Sequence, residues 1–570
     1  MAWLLVGCCL PVQAATVADV ILHHGKVVTV DRKFSLCQAV AIAGNRIVAV
    51  GDDAAVLKLR GPATRCVDLG GKMVLPGLID SHAHPMGAAV TEFDHPLPTF
   101  ETIQDVLDYI QGRTKVVRPG EWIIVSQVFI TRLREQRYPT RAELDRVAPQ
   151  HPVLYRTGPD ASVNSLALKL AGIDKQFRMP PGEVGFPERD PKTGEPTGIL
   201  RRCTHLLKAR STAKSPKEAD YLQRLPLLFH DYNRVGLTTV ADRDSSPSTL
   251  DRYVKLHQCG KLTVRIPALL DVGSSGPMAN IEQAIRRAAE HPLFKDRTGP
   301  VCVIGVKTYL DGGMLTGSAY LREPWGVSKI YSITDPTYRG VLFIPPERLL
   351  PMVRTAIECN LQFSAHTVGD GAVHALLDAY EEVSRTRPIR DTRPCISHSN
   401  FMSREAVARC ARLGVCPDIQ PAWIYLDART LVQQFGYDRL RYFQPLRSLF
   451  EAGVIAGGGS DHMQKIGSLR SINPYDPWLG MWTTITRRAH WFDGQLHPEE
   501  ALSREQAIRF YTWNNAYLLR LDREIGSLEV GKRADLIVVD RDLLTCTADE
   551  LRAAKVLKTY MDGRLVFEQR

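Results

Sequence analysis

Apolar and polar positions follow two textures along the chain. Near the start come short β-rich runs. Val20-Ile21-Leu22 and Lys26-Val27-Val28-Thr29-Val30 flank a turn at His23-His24-Gly25, and Ala39-Val40-Ala41-Ile42 and Arg46-Ile47-Val48-Ala49-Val50 flank one at Gly44-Asn45. Runs of this length with Gly and Asn punctuation predict small antiparallel strands. The end of the chain has the same texture, in Asp535-Leu536-Ile537-Val538-Val539 and in Val556-Leu557-Lys558-Thr559-Tyr560. The second run leads through a Met561-Asp562-Gly563-Arg564 turn to Leu565-Val566-Phe567. Chain termini commonly lie close together, so both ends are expected to build one small β-domain around a large centre.

The centre alternates short apolar runs with helical periodicity. Expected strands are Val125-Ser126-Gln127-Val128-Phe129, Leu237-Thr238-Thr239-Val240, Val303-Ile304-Gly305-Val306-Lys307, Leu361-Gln362-Phe363-Ser364-Ala365-His366 and Gly453-Val454-Ile455-Ala456-Gly457. Strand-then-helix alternation predicts a parallel sheet covered by helices, either a closed barrel or an open doubly wound sheet. No G-x-G-x-x-G follows the first strand, and Gly457-Gly458-Gly459 lacks the Lys-Ser or Lys-Thr of a phosphate loop, so nucleotide binding has little support. Residues 95–235 hold helical patterns at 103–110 and 217–229 and a Pro/Gly-rich stretch at 179–198. They read as a surface insertion or as a cover that shapes a pocket, and the second is favoured because long excursions from barrel tops form lids.

At 570 residues, 44% hydrophobic and 24% charged, the composition is that of a globular protein. The formal charge of +10 is spread along the chain with no aromatic-plus-basic repeat. Nucleic-acid binding is therefore not expected, and the charge is left to aid solubility or draw in an acidic substrate. Residues 1–15, MAWLLVGCCLPVQAA, read as a signal peptide with a Val12-Gln13-Ala14 cleavage pattern, although no Lys or Arg precedes Lys26. A real leader would make the protein periplasmic or secreted; otherwise it is cytoplasmic. The run is shorter than the roughly 20 apolar residues of a bilayer span, so no stable membrane insertion is expected. The ten cysteines beyond the leader form no C-x-x-C pair and read as free thiols, with one or two disulfides in an exported protein.

The strongest chemical signal is Leu78-Ile79-Asp80-Ser81-His82-Ala83-His84. An apolar strand ends in His-x-His, and the period of two turns both imidazoles to one side. Neutral imidazoles suit Zn, Fe, Ni or Mn, and barrel active sites lie at the C-terminal ends of strands. Lys307, followed by Asp311-Gly312-Gly313, then His366 before Gly369-Asp370, His398 after Ser397, and Asp461 after Ser460 close later runs. Taken singly, each has a structural explanation as a hydrogen-bonded core histidine, a helix cap or a snorkelling lysine. One metal site accounts for all of them together.

On these segments the chain resembles the amidohydrolase superfamily, in particular the family 3 branch with YtcJ-like and N-substituted formamide deformylase-like proteins. The match runs through residues 77–84, Thr193-Gly194-Glu195-Pro196-Thr197-Gly198, 306–312, 366–370, Gln420-Pro421, Gly459-Ser460-Asp461, Tyr511-Thr512 with Asn515-Ala516, and the tail at 526–536. The resemblance implies a distorted (β/α)8 TIM barrel over 76–515 with an insertion at about 95–235. It also implies a small β-sandwich assembled from 16–75 and 516–570.

Further implied are two divalent metal ions, Zn first with Mn or Fe as alternatives. His82 and His84 would hold one, His366 and His398 the other, and Lys307, carboxylated by CO2, would bridge them. Asp461 would ligate the first metal and act catalytically by handling protons. A small-molecule substrate and a homo-oligomer are expected on the same grounds. The implied reaction is hydrolysis of a C–N bond, such as that of an N-acyl or N-formyl amine. Deamination, ester or carbamate hydrolysis, or metal-assisted isomerisation on the same site are the alternatives. A non-catalytic scaffold is disfavoured because all six inner residues are present.

Three departures from the family pattern bear on specificity. Ser397 stands where many relatives have Glu before the second-metal His, so a carboxylate that would orient His398 is expected to be missing. Gly158-Pro159-Asp160 replaces a Gly-His, and Gly313-Met314-Leu315-Thr316-Gly317 replaces a small polar stretch. Trp423, Trp478, Trp482 and Trp491 are candidates for an apolar pocket wall, although most such residues are core packing.

Overall fold

The computed structural model describes residues 17–126, 128–183, 185–467 and 470–569; the expected leader at 1–15 lies outside them. Eight parallel strands follow one another around a single sheet. They are β1 (Leu78–Ala83), β2 (Leu237–Ser245), β3 (Ile266–Asp271), β4 (Val301–Tyr309), β5 (Gln362–Thr367), β6 (Cys395–His398), β7 (Cys416–Ile419) and β8 (Gly457–Gly458). A parallel bridge between Ala83 and His462 brings the last strand back to the first and closes the barrel. Of the two parallel-sheet readings left open by periodicity, the closed barrel is the one formed.

β1 and nearly all of β4 are buried on both faces, which explains the continuous apolar run at 301–306 in β4. The helices between them carry clear start and stop signals. In Arg404–Leu413, the Ser403 hydroxyl accepts from Ala406 N, Gly414 ends the helix at φ +72°, and Ala406, Val407, Cys410 and Leu413 form the buried stripe.

β8 departs from the expected strand at 453–457: pairing begins only at Gly457. The glycines there are steric necessities. A Cβ on Gly457 would lie 2.2 Å from Asn515 Oδ1, on Gly458 2.4 Å from the Phe510 ring, and on Gly459 2.6 Å from His82 Cβ. The β1/β8 seam is tied by Ser460 and Asp461 N–H groups donating to the His82 carbonyl at 3.2 and 2.7 Å. The Ser460 hydroxyl adds a bond to Asp80 at 2.5 Å.

Strands from both chain ends make two further sheets. One orders 46–51, 39–43, 18–23 and 60–68; the other orders 564–568, 556–561, 536–539, 73–76, 26–28 and 36–37. Leu22, Val27, Val40, Val74, Leu536 and Val538 pack between them. The first two expected strands do not pair across His23-His24-Gly25 but enter different sheets. Their partners lie elsewhere, residues 20–22 against 40–42 and Lys26 and Val27 against Met73 and Val74. Arg265 and Asp535, both buried, pair at 2.6 Å between this region and the barrel.

The run at 125–129 is not a barrel strand. Ile123–Ser126 pairs with Val153–Thr157 in a separate five-stranded sheet that continues through Asp160–Val163, Pro196–Arg201 and Phe186–Arg189. The helix Glu218–Arg234, at the far end of the expected insertion, instead packs on Pro85–Val90 and β2 and buries Leu225, Leu228, Phe229 and Tyr232. Among the described residues, no helix is long and apolar enough to cross a membrane, and all ten cysteines are free thiols.

Candidate metal centre

Each of the six predicted residues stands at or just beyond a barrel strand's C-terminal end. His82 lies in β1 and His84 immediately after it, Lys307 in β4, His366 in β5, His398 at the end of β6, and Asp461 three residues past Gly458. His398, Ser399 and Asp461 adopt left-handed backbone conformations at φ +78°, +46° and +55°. Such conformations cost roughly 1–3 kcal/mol each in non-glycine residues and cluster where a side chain must be aimed.

The side chains converge. The rings of His82 and His398 are 4.7 Å apart, those of His366 and His398 4.7 Å, and those of His82 and His84 5.4 Å. Asp461 Oδ1 lies 3.1 Å from His84 Nε2 and 3.5 Å from His82 Nε2. Ligand atoms of His82, His84 and Asp461 all fall within 4.8 Å of one another. Asn473 donates to Asp461 Oδ2 at 3.1 Å and to its carbonyl at 2.7 Å, holding the carboxylate in place.

The outer partners decide which ring nitrogens face inward. His82 Nδ1 lies 2.7 Å from Asp418 Oδ2 on β7, and Asp418 also accepts from Ser81 Oγ at 2.5 Å. His398 Nδ1 lies 2.7 Å from Gln420 Oε1. Both acceptors require an N–H at Nδ1, which leaves each Nε2 with a lone pair. Burial, with the charge of Lys307 adding to it, pushes the His82 imidazole well below its usual range, and burial does the same for His398. His82 Nε2 and His366 Nδ1 are buried without a hydrogen-bond partner, although His366 Nδ1 lies 3.3 Å from Asp311 Oδ1. Neutral imidazoles with inward lone pairs and orphaned ring nitrogens are a donor set suited to a divalent transition metal.

Lys307 is buried, and among the described residues no carboxylate lies within salt-bridge distance of it. Burial lowers the pKa of its amine against the opposing charge of Asp244. With His84, His366, His398 and Asp461 it lines one cavity of about 780 Å3. The insertion contributes Phe129, Arg156, Pro159 and Arg202 to its wall, and the loop after β4 contributes Met314 and Leu315. Of the four tryptophans, Trp423 lines this cavity and stacks on His398 at 5.2 Å. Trp478 and Trp482 are core residues, and Trp491 is exposed.

Sequence reasoning missed the outer partners. It expected His398 to lack an orienting group because Ser397 carries no carboxylate. The Ser397 hydroxyl points instead to Ser364, at 2.8 Å, and Gln420, one residue past the neighbouring strand β7, orients the ring. Asp418 and Asn473 gave no local signal, nor did the buried Arg243, whose Nε donates to the Ser81 carbonyl at 2.6 Å and whose Nη2 lies 3.4 Å from Asp418 Oδ2.

A model of the amidohydrolase family matches residues 65–567. The N-substituted formamide deformylase of Arthrobacter pascens is 30% identical over 97% of this chain and 98% of its own length. YtcJ of Bacillus subtilis is 26% identical over 96% and 99%. Among solved structures, an uncharacterised metal-dependent hydrolase from Pyrococcus horikoshii has a TM-score of 0.66 at 22% identity, covering 93% of this chain and 99% of that one. The fold, the family match and the near-full-length relatives lead to one conclusion: this chain belongs to the amidohydrolase family of metal-dependent hydrolases.

Proposed function

We propose that the protein hydrolyses the C–N bond of an N-acyl or N-formyl amine at the β1–β8 site. The observation that carries this reading is the set of buried, inward-facing imidazole nitrogens beside Lys307 and Asp461. The formamide deformylase relative supports the choice of bond.

His82, His84 and Asp461 would hold one divalent ion, and His366 and His398 a second. Lys307 would lie between them as a carbamate, formed when its neutral Nζ attacks CO2 and loses a proton. Burial favours the neutral amine this step needs. Divalent ions, when bound, would supply what the side chains lack, a water acidified towards neutrality and a polarised acyl oxygen.

Asp461 has its Oδ2 held by Asn473 and its Oδ1 directed at the histidines. It takes the proton of the attacking water and returns it to the departing nitrogen. A C–O bond forms as the C–N bond breaks, leaving a carboxylic acid and an amine. Trp423 and Phe129 supply apolar surface to the cavity wall.

The test is metal content by plasma mass spectrometry on protein produced with Zn or Mn and bicarbonate, followed by mass analysis of a panel of N-formyl and N-acyl amines. About two ions per chain and release of amine with gain of one water are expected. Folded protein without metal, or products of unchanged mass, would overturn the reading.

A further inference from the structure

Arg201 and Arg202 are neighbours in sequence with opposite fates. Arg201 is fully buried and fully employed: Nε donates to Glu188 at 3.0 Å, Nη1 to the Thr316 carbonyl at 2.5 Å and Nη2 to the Tyr331 carbonyl at 2.5 Å. Arg202, one residue past the strand Pro196–Arg201, turns the other way, into the wall of the catalytic cavity. Among the described residues its side chain has no hydrogen bond or ion pair, and its Nη1 is buried without a partner. A buried donor left unmade costs roughly 1–3 kcal/mol, more when charged.

Its placement is built. The backbone N–H donates to Asp160 Oδ1 at 3.1 Å, and Asp160 Oδ2 is fixed by the Ser318 hydroxyl at 2.6 Å. The backbone is left-handed at φ +46°, and the guanidinium lies over the Phe343 ring at 3.7 Å. Stacking covers one face and leaves the edge N–H groups, a fork that matches the two in-plane oxygens of a carboxylate. Burial lowers its pKa to about 10, so it stays cationic at neutral pH. The acid whose charge acts on it, Glu183, lies 3.5 Å from His205.

Arg156, exposed on the same wall, adds a second positive charge, whereas Asp242, Asp244 and Asp271 line the cavity from β2 and β3. The cavity is therefore electropositive on the insertion side and acidic on the strand side.

We infer that the substrate is an N-acylated amino acid or related amide bearing a carboxylate, and that Arg202 binds that carboxylate while the scissile bond lies at the barrel strand ends. This rests on the C–N hydrolase reading for the identity of the bond, and on Arg202 itself for the anion.

The test uses a matched pair, N-formylphenylalanine and N-formyl-2-phenylethylamine, which differ only by the carboxylate. On metal-loaded wild type, kcat/KM should favour the acid by roughly 10- to 100-fold, mainly through KM. In Arg202→Met the ratio should fall to near one, and Arg202→Lys, which keeps charge without the fork, should restore part of it. An unchanged ratio in Arg202→Met overturns the inference.

Calorimetric binding of 3-phenylpropionate against 3-phenylpropanamide reads the anion seat without turnover. Selective binding of the acid that is lost in Arg202→Met supports it; equal binding of both probes, or equal binding of the acid by both proteins, overturns it. Selective acid binding without cleavage of either formamide would sink the hydrolase reading and leave the anion site standing.

Discussion

Replacing Gln420 by Leu removes, at nearly constant volume, the acceptor of the His398 bond and a long donor contact to the Asp418 carbonyl at 3.4 Å. Gln420 is fully buried and His398 nearly so, and their 2.7 Å bond fixes the proton on Nδ1. Without Oε1, that N–H becomes an orphaned buried donor, at a cost of roughly 1–3 kcal/mol. The imidazole can escape only by moving its proton to Nε2, which blocks the lone pair needed for metal. Either way the ion proposed for His366 and His398 should bind about 10- to 100-fold more weakly, since 1.4 kcal/mol is tenfold in affinity.

Gln420→Glu should act in the opposite direction, because a carboxylate makes the ring a more basic ligand. His82, which already has Asp418, should keep its ion in both variants. The assay is stripping with chelator, back-titration with Zn, and metal content by plasma mass spectrometry, with circular dichroism as a fold control. Loss of one ion per chain in Gln420→Leu and retention of both in Gln420→Glu is expected. Wild-type affinity for the ion proposed at His366 and His398 in Gln420→Leu would refute the idea that Gln420 sets the tautomer of His398.

Asp461→Asn should retain most of its metal yet lower kcat by roughly 10²- to 10⁴-fold, measured by amine release on protein of known metal content. Asp535→Ala leaves Arg265 with Asp562 alone and should cost about 3 kcal/mol, read as a lower guanidinium midpoint. Asp476 caps the helix Pro477–Thr486, and burial raises its pKa from 3.8 to about 6. Between those values the folded protein binds more protons than the unfolded chain, so wild-type stability falls as pH rises through this window, by up to ~3 kcal/mol. Asp476→Asn should keep the cap and flatten that slope in denaturation midpoints taken from pH 4 to 7.

What was legible in the chain was local. His82 and His84 could be read because a strand's period of two is enough to bring them to one side. Tyr560 through Leu565 could be read because a hairpin needs only its own turn, here Asp562 and Gly563, both at positive φ. Asp418 and Gln420 could not, because their roles come from β7 lying beside β6 and from the barrel interior bringing Asp418 to His82, 336 residues away. β8 was displaced in the reading because its glycines answer to Asn515, Phe510 and His82 rather than to strand propensity. The run at 125–129 has the texture of a barrel strand, and only pairing with Val153–Thr157 assigns it elsewhere. Arg201 and Arg202 look alike in sequence, and the left-handed turn at Arg202, just past the strand that ends at Arg201, separates them.

The seam between the first and last barrel strands gives the chain an order in time. Asp80 and Ser460 are 380 residues apart, and the same seam brings His84 to Asp461. A chain emerging from the ribosome therefore displays His82 and His84 long before the third member of their cluster has been made. Contacts of such sequence separation form late, after the intervening strands have docked. Tight metal retention would then mark a finished barrel, and truncated or stalled chains would hold the ion weakly, so metal occupancy becomes a gauge of completed synthesis as well as a requirement for chemistry.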